Sequence, residues 1–374
     1  MIFSKELLIA QLKCVEMCQT SCYTNPNQGK AMKALKYTLA TTSFALLAAC
    51  GGGGGGTAST GSSTTPAAAQ FAQTYVASAT AGEVINYTFN SVSNTYSYSI
   101  TQSAYGLTGR TGSGTLSRNS DGTYSPSESP SSKIYAAQNG LLVGVVRMPL
   151  NGIDRDVPIL GVSNPAVTGS AMAGTYNFIS LQCALKNYGI YTGCNTYYGS
   201  VQIVAAGASS ATYTTCTSSN IAVGSAGCLN TSTGTLSHTG GGIWEMVRSG
   251  SVNKNYMVAF KSSNNQKVGF LDFNDSGGYG FGQAVASEQV SPSMSDVVGD
   301  YFAQTTLGTA GIFSINSNST TSTGLTITRD TPWTGMARTS AIGGQGYGIL
   351  AGTGVYAYRD PSRGAGYFEI GMRK

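Results

Sequence analysis

The sequence predicts an all-β fold built of repeated antiparallel meander modules, barrel-like in closure, with a propeller or sandwich arrangement as the alternative. Three observations predict it. From Tyr75 onward apolar and polar residues alternate, as in Tyr96-Ser97-Tyr98-Ser99-Ile100 and Val201-Gln202-Ile203-Val204, and a period of two is the mark of a half-buried strand. Turn pairs punctuate these runs, among them Asp121-Gly122, Asn139-Gly140 and Asn151-Gly152, which suit tight hairpins because Gly and Asn tolerate a positive φ. Composition agrees: 50 Gly and 22 Tyr stand beside only 10% charged residues, against about 25% in an ordinary soluble domain. Straight-chain helix formers are therefore scarce, and Tyr and Thr favour strands.

The chain opens with residues 1–31, read as an extension ahead of the true translation start at Met32. Cys14, Cys18 and Cys22 lie four apart there, a spacing that would line one face of a helix. Residues 32–49 form a secretory signal: Lys33 and Lys36, then an apolar run from Leu39 to Ala49, too short for a spanning helix of about 20 residues. Residues 50–70 are a Gly/Ser/Thr tether starting with Gly51–Gly56. About 20 residues of such coil reach roughly 25 Å.

The body divides into modules at 71–168, 169–290 and 291–374. Gly114-Thr115-Leu116-Ser117 leads to Tyr124, and Gly234-Thr235-Leu236-Ser237 leads to Trp244 at the same offset. Each then enters an apolar strand, Leu141–Val146 and Met257–Phe260, and closes on another, Val157–Val162 and Val268–Phe273. Gly174-Thr175-Tyr176-Asn177-Phe178 matches Gly299-Asp300-Tyr301-Phe302. Such self-similarity implies a repeated unit. The third module is the most diverged. With so few charges to guard strand edges, barrel closure or packing between modules is expected to cover them.

Cys183, Cys194, Cys216 and Cys228 fall in the middle module. An even, clustered set in an exported chain reads as two disulfides in one of three connectivities. Pairing Cys183 with Cys194 and Cys216 with Cys228 would close short inter-strand loops. The loop between the first two carries Tyr188, Tyr191, Tyr197 and Tyr198, a Tyr/Asn/Gly-rich surface suited to recognition. The competing expectation is that these rings pack over a barrel rim.

Catalytic machinery is not in evidence. His238 is the one histidine, in a turn, and no Gly-x-Ser-x-Gly elbow or phosphate loop occurs. Asp154 and Asp156 share a strand face beside Arg155, which reads as a solvated hairpin end. Asp272-x-Asn274-x-Ser276-Gly277 starts like a calcium loop but has Gln283 where the bidentate acid belongs. Trp333, after Thr331-Pro332, offers a ring that could stack on a sugar or cap a strand. A net charge of +5, dispersed, does not make a nucleic-acid footprint. No catalytic residue, cofactor or metal site is assigned.

Leu47-Ala48-Ala49-Cys50 resembles the lipobox of bacterial lipoproteins. The resemblance covers the signal segment alone. It implies cleavage before Cys50, a diacylglycerol thioether and an amide-linked acyl chain there, and a near-permanent membrane anchor. Gly51 in place of an inner-membrane retention Asp implies the outer membrane. The expectation that follows is a non-enzymatic envelope lipoprotein binding a protein or glycan partner. Alternatives are a structural envelope component and a carbohydrate hydrolase. The body resembles, in architecture only, Gly-tethered surface lipoproteins that bind host proteins or haem carriers.

Overall fold

The computed structural model describes residues 70–374 except 184–192, 218–221, 226–227, 229–230, 263–264, 276–279, 342–343 and 365. Cys50, Tyr188 and Tyr191 lie outside the described residues. The body is all-β, and three meander sheets follow one another along the chain.

The first sheet contains β1 (Ala72–Ala79), β2 (Glu83–Asn90), β3 (Thr95–Ser103), β4 (Thr111–Arg118), β5 (Tyr124–Pro126), β6 (Tyr135–Ala136), β7 (Leu141–Leu150) and β8 (Ile153–Val162). Its order is β5-β4-β3-β2-β1-β8-β7-β6. An antiparallel bridge from Tyr124 to Ile134 joins the two edges, so the sheet is a nearly closed barrel. The Asn-Gly signal is met directly at the β7–β8 hairpin. Asn151 and Gly152 have φ of 52° and 76°, the left-handed pair that a two-residue turn needs to match strand twist.

A short helix α1 (Gly169–Met172) precedes the second sheet. That sheet is β9 (Gly174–Cys183), β10 (Cys194–Gly207), β11 (Ser210–Cys216), β12 (Thr231–Gly240), β13 (Ile243–Arg248), β14 (Lys254–Lys261), β15 (Lys267–Asp275) and β16 (Gly280–Glu288). It closes fully, β16 pairing with β9 from Phe281↔Cys183 to Glu288↔Tyr176. A second short helix, α2 (Met294–Val297), leads into β17 (Gly299–Thr305), β18 (Ala310–Ile315), β19 (Ile327–Arg329), β20 (Met336–Ala341), β21 (Gly344–Leu350), β22 (Val355–Arg359) and β23 (Phe368–Arg373). This third sheet runs β18-β17-β23-β22-β21-β20-β19, and antiparallel bridges Ile315↔Thr321 and Thr320↔Thr326 link its edges, so it too is a nearly closed barrel.

The repeat is physical. In the first sheet Tyr96 of β3 lies opposite Gly114 of β4, and in the second Tyr213 of β11 lies opposite Gly234 of β12. A Cβ at either glycine would fall 2.8 Å or less from the tyrosine ring, so each glycine makes room for its ring. The closing strands differ from the expected alignment by one position. By sheet order Leu141–Val146 of β7 matches β15, and the counterpart of β14 is β6. With two residues, β6 has no apolar run to recognise.

Alternation sends one face of each strand into its barrel and the other outward. The first barrel interior is filled by Tyr75, Tyr87, Phe89 and Ile100, all buried. The third is filled by a tyrosine cluster, Tyr301, Tyr356, Tyr358 and Tyr367. Outward faces meet in a shared core that takes Val84, Val143 and Leu160 from the first sheet, Ile179, Phe270 and Val285 from the second, and Phe302, Ile349 and Ile370 from the third. Packing between modules thus covers apolar sheet faces that a lone barrel would expose.

Candidate ligand site in the middle barrel

The closed barrel leaves part of its interior unfilled. It encloses a cavity of about 570 Å³, within the range of small-molecule sites. The cause lies in the side chains. Strand β8 points Val157 and Ile159 into the first barrel, whereas its counterpart β16 points Ala284 and Ala286 into the second.

One end of the barrel is plugged. Thr168 caps α1, its hydroxyl accepting from the Ala171 amide, and this seats Met172 over the base. Tyr176 donates to the Met172 carbonyl at 2.6 Å. Trp244, fully buried, donates its indole N–H to the Ala166 carbonyl at 2.8 Å. His238 packs 5.1 Å from the Trp244 ring, and its Nε2 accepts from the Gly242 amide at 3.3 Å. The lone histidine is therefore a strut in the β12–β13 turn.

Above the plug the lining is apolar: Ile203, Leu236, Met246, Met257, Leu271 and Ala286. Toward the other end it turns polar, with Gln182, Asn195, Tyr197, Arg248, Asn253 and Asn255. There Asn195, Tyr197 and Arg248 are solvent-exposed. Arg248 is the one charged side chain among the described lining residues. It acts on Tyr213, whose hydroxyl is pushed up to about 12 by burial and partly offset by the Arg248 charge.

Both disulfides sit at this polar end. Cys183–Cys194 joins the end of β9 to the start of β10, and Cys216–Cys228 ties the end of β11 to the connection before β12. The local connectivity is the one formed.

The two described tyrosines of the expected recognition loop part company. Both are in strand β10. Tyr197 lines the cavity and is 39% exposed. Tyr198 points the other way, stacked 4.4 Å from Tyr347 with the Arg359 guanidinium 5.3 Å above its ring. Trp333 belongs to the same cluster, 6.1 Å from Tyr198, and donates to Asn177 Oδ1 at 2.6 Å. It packs between the second and third barrels, as a strand cap would.

Carboxylates lie elsewhere. Asp154 and Asp156 pair with Arg147 at 3.6 and 3.4 Å on the β7–β8 hairpin. Glu369 is held inside the third barrel by the Tyr356 and Tyr367 hydroxyls. Asp272 faces outward from β15 against β1, where Ser78 Oγ donates to it at 2.9 Å; the calcium-like loop beyond Asp275 is outside the described residues. Among the described residues no three His, Cys, Asp or Glu side chains gather as a metal site.

Sequence reasoning missed most of the lining. The signal was present as alternation, Met246 with Arg248 and Asn253, Asn255 with Met257. What it lacked was the knowledge that these inward positions bound an unfilled space.

No protein-family model and no curated protein matches the chain. Among solved structures it is similar to a protein of unknown function of the DUF3598 family from Nostoc punctiforme. Identity is 10%, the match covers 59% of this chain and 94% of that one, and the TM-score is 0.24.

Proposed function

We propose that this chain is a lipid-anchored, non-enzymatic lipoprotein of the outer membrane that binds a protein or glycan partner at the open end of its middle barrel. The observation that carries the reading is the cavity of about 570 Å³ with its exposed, polar, disulfide-tied rim. Interiors are close-packed, and an unfilled apolar space costs stability. Where the first barrel carries Val157 and Ile159, this one has Ala284 and Ala286, so the space is kept open for an occupant. Lipobox residues Leu47-Ala48-Ala49-Cys50 support the anchor, and the Gly-rich sequence that follows them supports a tether.

The rim offers amides and hydroxyls as hydrogen-bonding groups beside the Arg248 guanidinium. Asn195 and Tyr197 stand at its edge. The test is pull-down and glycan-array binding by the full chain against Asn195→Ala and Tyr197→Ala. Capture reduced tenfold or more in either variant supports the site. Capture unchanged in both, with the fold intact, rejects it.

A further inference from the structure

We infer that the middle barrel accommodates a single-chain amphipath with an anionic head, its chain running down to the plug and its head held at the rim by Arg248. The inference rests on the proposed site and names what enters it.

Polarity along the barrel axis is the first ground. Residues near the plug, Leu236, Ile203 and Ala286, are buried and apolar, and Met246, Met257 and Leu271 continue the same wall. Toward the rim Gln182, Asn195, Asn253 and Asn255 enter, Asn255 opposite Met246, with Phe273 and Phe281 beside them. A uniformly polar ligand such as a free sugar would leave its hydroxyls unpaired in the lower half, and unpaired buried polar groups are costly. A wholly apolar ligand would leave the rim amides facing nothing they can bond.

Depth is the second ground. Asn195 and Ile203 of β10 both line the cavity. The strand between them covers about 26 Å at the ordinary rise, or roughly 20 Å along the axis at the usual barrel tilt. That is a length for an extended acyl chain. Width agrees, because Ala284 and Ala286 on β16 leave one side of the barrel without bulk.

Charge is the third ground. Arg248 projects inward from β13 two residues beyond Met246, close enough for its charge to act on the buried Tyr213 hydroxyl. Among the described residues no carboxylate lies within ion-pair distance of it. A guanidinium facing a cavity without a counter-charge suits a phosphate or carboxylate head, which it can hold through paired N–H groups.

The test uses the full chain with Cys50→Ala, so that no acyl group is attached to the protein. Palmitoyl-lysophosphatidylglycerol, the uncharged monopalmitoylglycerol and glycerol phosphate are titrated below micelle-forming concentrations by calorimetry. The expected result is one-to-one binding of the lysophosphatidylglycerol and at least tenfold weaker binding of glycerol phosphate. Arg248→Gln should weaken the anionic lipid about tenfold and leave the phosphate-free monopalmitoylglycerol within twofold. Ala286→Trp, or Ala284→Phe should the first fail to fold, should abolish binding of both lipids. Glycerol phosphate binding as tightly as the lipid overturns the inference, as does lipid binding that survives a folded cavity-filling variant. Partner capture that still depends on Tyr197 while no lipid binds would overturn the inference and leave the proposed binding site standing.

Discussion

Tyr176 and Tyr301 hold the same place in successive barrels: each hydroxyl donates to the carbonyl four residues upstream, Tyr176 to Met172 at 2.6 Å and Tyr301 to Val297 at 2.8 Å. In both, that carbonyl belongs to the last residue of a one-turn helix, capped by Thr168 in one case and Ser293 in the other. The ring thus fastens a helix end, whose carbonyls lack partners within the helix, onto the first strand of the barrel. Tyr176→Phe and Tyr301→Phe should each cost about 1 kcal/mol, the net worth of a buried hydrogen bond. Urea unfolding of the two variants and of the pair checks this, and the distance between the sites predicts additive effects.

Asp272 makes stability fall with rising pH. It is fully buried between β15 and β1, near Glu83 and Gln283, with Ser78 as donor to one oxygen. Burial, then the Glu83 charge, pushes its carboxyl well above the usual carboxylate range, against a small opposing effect from Ser78. An acid whose folded value is raised is bound to more protons in the folded state, so its contribution is intact below the unfolded value of about 3.9. It is lost as pH climbs from there toward the raised folded value. Asp272→Asn should therefore raise the melting temperature at pH 8 and flatten the decline between pH 5 and 8. A variant less stable than the parent at pH 8 contradicts the assignment.

Tyr197 and Tyr198 should give opposite phenotypes. Tyr197→Ala removes a cavity-lining ring and should weaken partner binding with little effect on stability. Tyr198→Ala opens a hole between the second and third barrels beneath Arg359 and Tyr347. Loss of a buried aromatic costs about 3–5 kcal/mol, with binding retained by the molecules that stay folded. Thermal melts alongside binding isotherms separate the two.

The disulfides should act on the rim. Each closes a loop with a sequence separation of 11 or 12, for which chain entropy gives about 2–3 kcal/mol. Reduction should lower the melting temperature and weaken partner binding more than it disturbs the first barrel. Hydrogen exchange resolved by segment reads the difference.

Much of the fold was legible. Asn151-Gly152 named its hairpin because positive φ at both positions is a local requirement. Gly174-x-Tyr176 and Gly299-x-Tyr301 marked a true repeat because a ring at that position has a job within five residues of chain. The β6 strand was not legible, since two residues carry no period. Nor could the sequence separate Tyr197 from Tyr198: adjacent tyrosines on a strand look alike until one knows which face is packed by another barrel. Nothing in the sequence marks Arg248 as facing inward, for the same reason. Whether an inward face is filled depends on side chains from eight strands at once, and Ala284 with Ala286 on one strand does not announce a cavity.

Native mass spectrometry of the chain purified from its own envelope decides whether the middle barrel carries an occupant. The expected result is a noncovalent mass excess on the folded body, beyond the acylation of Cys50, that disappears in Ala286→Trp. A body that carries no excess in any gently prepared sample, or one whose excess survives filling of the middle barrel, contradicts it.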